Sequence, residues 1–290
     1  MLKDTKANKV LLIIVVLLLG LAVSLTKCGV WQRDRDRDTQ DAVFSSGDSL
    51  KVSTVTNNII IEVDEHADRA IFSVSNLENS ILSVSRTGNQ VVVEVRPKRR
   101  WSFGLFSSSP SPLVVTLPTD QLGKLEASST SGDIEILPAL SLDRMEASSV
   151  SGEIDFLTLT ANSLVKLTTV SGTIHGREAK SEGNLELFST SGEVEVETYS
   201  GKDILLKSVS GQIEGELILD AGDEAKIETI SGSIDVDGRK IEGLSITAST
   251  ISGAITFNEQ DQGKQVSVEK GNAQSHLKLS STSGGIELHY

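Results

Sequence analysis

From residue 124 to residue 257 one pattern of apolar and polar positions recurs, and a last copy follows around residue 284. Each copy carries a Ser-Gly pair: Ser131-Gly132, Ser151-Gly152, Ser171-Gly172, Ser191-Gly192, Ser210-Gly211, Ser231-Gly232, Ser252-Gly253 and Ser283-Gly284. From glycine to glycine the steps are 20, 20, 20, 19, 21, 21 and 31 residues, a period in the range of stacked repeats. Two residues after the glycine stand Ile134, Ile154, Ile174, Val194, Ile213, Ile234, Ile255 and Ile286. Five and seven residues before it stand pairs such as Ala127 with Leu125, Leu187 with Leu185 and Ile227 with Ala225. Apolar positions spaced by two predict strands. Two before the glycine every residue is β-branched (Thr130, Val150, Val170, Thr190, Val209, Ile230, Ile251, Thr282), which suits a pleated surface.

The alternation slips by one residue where a Ser or Thr always sits three before the glycine, as at Ser129, Thr169 and Ser208. A slip of one re-aims a strand, so a corner is expected there, with the glycine relieving backbone strain beyond it. The serine just before each glycine is expected to stack on its equivalent in the next copy as a ladder of hydroxyls. One copy of about 20 residues cannot bury a face by itself, so the copies must stack. The expected fold is all-β: a parallel β-solenoid of about 20-residue coils, the right-handed β-helix being favoured over forms with a six-residue period. A row of antiparallel hairpins is the rival, but connections as unlike as 138–141 and 176–180 do not set hairpin registers. Two imperfect copies precede the array. Asn57 takes the glycine position among Leu50, Val52, Val55, Ile59 and Ile61, and Asn89 takes it among Leu82, Val84, Thr87, Val91 and Val93; both are read as terminal coils, with Asn chosen for its tolerance of positive φ.

The array does not start at the N-terminus. Residues 1–9 carry Lys3, Lys6 and Lys9, and residues 10–26 are then 17 positions without a charge, predicting one hydrophobic helix that serves as a membrane anchor or export signal. Three readings fit: an uncleaved anchor, cleavage after Ala22-Val23-Ser24, and lipidation of Cys28, for which Lys27 is an unusual neighbour. Each places residues 43–290 outside the cytoplasm, in the cell envelope. Residues 27–42, with charges alternating from Arg33 to Asp38, read as a solvated linker. Within the array, residues 97–112 break the pattern and gather Arg99, Arg100, Trp101, Phe103 and Phe106. That cationic and aromatic loop is the candidate binding segment, against the plainer reading that it covers a sheet edge. At the other end the chain shows no cap after the last coil, an open edge that a second copy could pair with.

Composition narrows the chemistry. A net charge of −13 excludes a nucleic-acid binder, and the single cysteine, Cys28, leaves no disulfide framework. Carboxylates flank the buried isoleucine at Asp133/Glu135, Glu153/Asp155 and Glu193/Glu195, but Thr173/His175, Gln212/Glu214 and Ala254/Thr256 interrupt the columns. A solvated acidic face is favoured over a calcium site. The four histidines have no metal-ligand spacing, and no nucleophile elbow, phosphate loop or dinucleotide fingerprint occurs. Neither metal nor cofactor is expected, and the repeated Ser-Gly pairs read as structural, since one active site does not need eight copies.

The run from Leu113-Val114-Val115-Thr116-Leu117-Pro118 into Leu125-Glu126-Ala127-Ser128-Ser129-Thr130-Ser131-Gly132-Asp133-Ile134 and its iterated Ser-Gly-x-Ile resembles the bacterial "putative adhesin" domains, β-strand-repeat domains of unknown function. The resemblance spans roughly residues 49–290, and it implies an exported, envelope-associated β-solenoid with no active residues to carry over. The expected function is a non-enzymatic adhesin-like interaction module with a protein or glycan ligand on its surface. Two alternatives stand beside it. One is a polysaccharide-active β-helix enzyme using Asp133, Glu153, Asp155 and Glu193; the other is an accessory sensor of envelope stress.

Overall fold

A computed structural model of the chain describes residues 37–45, 47–75, 80–98, 111–118, 122–238, 241 and 243–290. The predicted helix over 10–26, Cys28 and the loop residues Arg99, Arg100, Trp101, Phe103 and Phe106 lie outside them. The described part belongs to one compact unit, Asp36–Tyr290. It is all-β, and its centre is a stack of continuous strands, Ile134–Ser149, Ile154–Thr169, Ile174–Ser189 and Val194–Ser208, paired in parallel and in register. Each of these four strands runs from the segment after one glycine, through a middle segment, to the segment before the next glycine. The residues 138–141 and 176–180, read as loops, are strand in that middle segment; their side chains differ, but their backbones pair with the adjacent rungs.

The expected apolar columns fill the interior. Ile134, Ile154, Ile174, Val194, Ile213, Ile234, Ile255 and Ile286 are buried, as are the columns five and seven before the glycine. Where one rung brings an aromatic side chain inward, its neighbour makes room. A Cβ at Gly176 would collide with the Phe156 ring, and one at Gly215 (φ 148°) with the Tyr199 ring. Tyr199 is fully buried; its hydroxyl accepts the N–H of Val196 at 3.1 Å and donates to the Glu214 carbonyl at 2.7 Å. Burial pushes its pKa far above the ordinary phenol value.

The corner differs from the expectation in two ways. First, the glycines of the Ser-Gly pairs have no positive φ, and neither has Asn57. What they supply is close approach: a Cβ on Gly152 would fall inside contact distance of the Gly132 carbonyl oxygen, and the same holds from Gly132 against Asn57 onward through the column. Second, the serine just before each glycine is exposed. The buried hydroxyl ladder is instead the column three before the glycine: Thr54, Ser129, Ser149, Thr169, Ser189, Ser208, Thr229, Thr250 and Ser281. Ser189 is typical, accepting the N–H of Gly192 at 2.9 Å and donating to the Gly172 carbonyl of the neighbouring rung at 3.3 Å. The β-branched column two before the glycine also faces solvent; Val150, Val170, Val209, Ile230 and Ile251 are 39% to 76% exposed.

Rung order in space is not chain order. Reading the parallel pairings gives ten rungs, in the order 90–117, 48–63, 122–136, 144–156, 164–176, 184–196, 203–218, 224–237, 275–289 and 244–257. The copy at Asn57 is therefore a true coil, but it is not terminal. The copy at Asn89 is not a coil: Ser80–Thr87 and Gln90–Pro97 form an antiparallel hairpin turning at Gly88 (φ 61°) and Asn89. Both ends of the stack are closed by antiparallel strands. Ser80–Thr87 and Ala70–Ser75 cover one end, with Arg37–Ala42 added beyond Ala70–Ser75. Gln265–Lys270 and Gln260–Asp261 cover the other. Two sequence readings change accordingly. The last coil is interior rather than an open end, and residues 37–42, read as linker, form a strand.

The corner yields a direct test on denaturant midpoints. Gly192→Ala is expected to cost about 1–3 kcal/mol or more, since its Cβ meets backbone that cannot yield. Ser189→Ala, which leaves the Gly192 N–H unpaired, should cost about 1–3 kcal/mol. Ser191→Ala, in the Ser-Gly pair itself, should stay within about 0.5 kcal/mol. Equal effects at 189 and 191 would contradict this assignment of the ladder.

Candidate binding face

Three surfaces run the length of the stack: the corner, the outer side of the segments after the glycine, and the outer side of the segments before it. Alternation fixes which side chains each presents.

After the glycine, the outward position three residues on forms a column Glu135, Asp155, His175, Glu195, Glu214, Asp235, Glu287 and Thr256 in spatial order. The out-of-order rung puts Glu287 beside Asp235, so the carboxylates are more continuous than chain order suggested. Burial pushes Glu135 above its ordinary pKa, and the Asp155 and Asp133 charges add to it. Asp155 is also raised, by burial and then by Glu153, against the opposing effect of His175. His175 Nδ1 lies 3.4 Å from Glu195. Of the carboxylates considered for polysaccharide chemistry, Glu153 and Asp133 both act on Asp155. Asp133 also holds the corner together: one oxygen accepts the N–H of Glu153 at 3.0 Å, and the other accepts the Asn58 side-chain amide at 3.1 Å. Among the described residues no group of three or more His, Cys, Asp or Glu is placed to hold a metal ion.

Before the glycine, several outward charges form ion pairs within and between rungs. Glu126 meets Lys51 at 3.3 Å, Glu146 meets Arg144 at 2.7 Å and Lys124 at 3.2 Å, and Glu186 meets Lys166 at 2.8 Å. Further along, Glu228 takes Lys207 at 2.8 Å and Lys226 at 2.6 Å. The Lys124 ammonium, and with it Lys51, holds Glu126 below the ordinary carboxylate range despite partial burial. At Glu228 burial acts to raise the pKa, but the two lysines outweigh it and the net shift is downward.

This same face is indented. A concavity of about 530 Å3 spans the rungs from Asn184 to Ser245. One wall is the column Asn184, Asp203, Glu224, His276; the other is Glu186, Leu205, Lys226, Lys278. Asp203, Glu224 and Lys278 form no ion pair among the described residues. A smaller hollow of about 190 Å3 lies on the same face between Lys51 and Lys166. Sequence reasoning missed the large concavity because His276 and Lys278 come from the last copy in the chain. They reach the wall only through its insertion between 224–237 and 244–257. The structural Ser-Gly residues, by contrast, all lie at the corner, away from both hollows.

The chain belongs to the family whose model, described as Toastrack DUF4097, matches residues 48–289. Among solved structures, a "putative adhesin" from Bacteroides fragilis shares 13% identity and a TM-score of 0.53, covering 90% of this chain and 100% of its own. A "putative adhesin" from Parabacteroides merdae gives 13% and 0.45, and a "putative lipid binding protein" from Parabacteroides distasonis gives 16% and 0.44; each covers 88% of this chain and 97% of its own. At these identities the Bacteroides fragilis structure supports the fold alone. No curated protein sequence matches the chain.

The raised carboxyls give a pH prediction with a definite sign. A carboxyl whose folded pKa exceeds its unfolded one binds more protons when folded, so stability falls as pH rises from the unfolded value through the folded one and stays reduced above it. Replacing both groups, as Glu135→Gln with Asp155→Asn, should therefore stabilise at neutral pH by less than about 1 kcal/mol, both sites being partly solvated. That gain should shrink as pH drops through the carboxylate range. Urea midpoints at neutral and mildly acidic pH read it; a gain that grows on acidification would reverse the assignment.

Proposed function

We propose that the chain is a non-enzymatic, adhesin-like binding module, held at the cell envelope by residues 10–26 with residues 43–290 outside the cytoplasm. It takes an extended polar polymer, an envelope glycan above all, along the concave face. One observation carries the reading: the 530 Å3 concavity is walled by two in-register columns whose members include Asp203, Glu224 and Lys278, which form no ion pair among the described residues. Stacked rungs repeat at the strand spacing of about 4.8 Å, so such a wall offers side chains, most of them polar, at regular intervals. That matches a repeating ligand better than a compact one. Half-buried Leu205 between them supplies apolar contact. The adhesin description of the Bacteroides fragilis structure is consistent with this use of the fold.

Two measurements test it. Full-length protein in detergent, titrated with soluble envelope glycan fragments, should bind them. Glu224→Ala with Lys278→Ala should weaken binding at least about tenfold, equivalent to about 1.4 kcal/mol, with thermal unfolding unchanged. Unaltered affinity removes the concavity from the proposal, and cleavage of the glycan turns it toward the enzyme. For the anchor, intact mass and fractionation should find full-length protein in the membrane for both wild type and Cys28→Ser. Loss of the N-terminus at Cys28 with added lipid mass would make it a lipoprotein instead.

A further inference from the structure

The rung 275–289 sits between two rungs that precede it in the chain. On one side Ser275–Ser281 pairs in parallel with Glu224–Thr229, His276 opposite Glu224; on the other it pairs with Leu244–Thr250, His276 opposite Ser245. Ile286–His289 is held in the same way between Ile234–Asp237 and Ile255–Phe257. Corner bonds repeat the order, Ile234 N–H donating to the Gly285 carbonyl at 3.0 Å and Ile286 N–H to the Ala254 carbonyl at 2.8 Å. Ser275, Leu277, Leu279, Ile286 and Leu288 are buried. Among the described residues, strands Leu244–Thr250 and Ile255–Phe257 otherwise pair only with the antiparallel cap beyond them. The inserted rung is thus their ladder connection to the rest of the stack.

A short connection delivers this rung. Between Gln265–Lys270 and Ser275–Ser281, residues 271–274 cross over Gly243. A Cβ at Gly271 would come within 3.3 Å of the Gly243 Cα, and one at Gly243 within 3.3 Å of the Ala273 nitrogen. Gly243, Gly271 and Ala273 all have positive φ, at 80°, 63° and 41°. For Ala273 that is a strained conformation. A complete, buried strand unit joined through a short strained hinge is the arrangement that exchanges between copies, because opening relieves the hinge while every pairing is regained in the other copy.

We infer that the rung beyond residue 274 is exchangeable, and that the slot between 224–237 and 244–257 is an acceptor site for the same segment of a second copy. In the closed monomer the slot is filled in cis. When two copies open together, each fills the other's slot, linking them through identical contacts. The inference is independent of what the concave face binds, although Glu224, His276 and Lys278 belong to both; exchange would supply His276 and Lys278, the end of each wall, from the partner.

Single cysteines at two in-register, outward-facing positions distinguish cis from trans. In a Cys28→Ser background, full-length Ser245→Cys and His276→Cys variants are mixed in detergent. They are opened together in mild denaturant, returned to native buffer and treated with a short bis-maleimide. The expected result is a covalent heterodimer linked between 245 and 276, at a yield comparable to the internal link formed in a single chain carrying both cysteines. If the doubly substituted chain links internally while the mixture gives no heterodimer, exchange does not occur and the inference falls. Ala273→Gly, which relaxes the closed hinge, should lower the heterodimer yield several-fold; a yield that rises would equally overturn it.

Discussion

The contact between one corner glycine and the backbone carbonyl of the glycine in the next rung is what the rest of this structure depends on. From Asn57 through Gly132, Gly152, Gly172, Gly192, Gly211, Gly232 and Gly284 to Gly253, each position abuts the one before, with no room for a Cβ between them. That approach lets the backbone on both sides of the corner keep strand spacing, so the pairing continues into the segments before and after it. Close packing of bare backbone brings N–H and carbonyl groups into the interior, where each needs a partner. The buried hydroxyl three residues earlier provides one: Ser149, Ser189, Ser208 and Ser281 each accept the N–H of their own glycine and lie in reach of a neighbouring carbonyl. The glycine sets the distance, and the hydroxyl makes that distance tolerable. The paired Ser beside the glycine, the most conspicuous letter of the repeat, contributes its backbone N–H to the ladder while its side chain meets water.

Much of this was legible in the sequence. The apolar columns were, because a side chain's face follows from a period of two and needs no knowledge of neighbours. So was the coil at Asn57, whose columns match despite the missing Ser-Gly. The copy at Asn89 was misread because a hairpin shows the same period on each arm; only the turn Gly88-Asn89 separates the two cases, and it is short. Rung order was not legible at all. The step from Gly232 to Gly253 is 21 residues, the same as from Gly211 to Gly232, although the first skips a rung and the second does not. The skip falls between the strands Ile234–Asp237 and Leu244–Thr250. The long final step of 31 residues was the visible trace, since it contains the antiparallel cap.

The candidate site was less legible for a related reason. A concave wall on a stacked fold is made of residues one per rung, some 20 positions apart in the chain, and polar outward positions carry no periodic signature beyond their alternation. Asn184, Asp203 and Glu224 could be aligned by counting from their glycines, but His276 joins them only once the inserted rung is known. Charge assignments suffered likewise: Glu287 extends the acidic column next to Asp235 rather than following Thr256.

The two ends of the stack solve one problem in the same way. Rung 48–63 lies inside rung 90–117, and rung 275–289 lies inside rung 244–257, so at each end the segment nearest the end of the array in sequence is held on both sides. The outermost positions fall to antiparallel strands. At one end Gln265–Lys270 carries charge at Glu269 and Lys270 and only half-buried Val266 and Val268; at the other, Arg86 on Ser80–Thr87 is fixed to Asp48 at 2.6 Å. An antiparallel strand at the edge is a poor template for adding another parallel rung. A stack capped in this manner cannot readily lengthen by edge-to-edge addition of copies. Exchange of the segment beyond residue 274 would instead join two copies through the internal slot between 224–237 and 244–257.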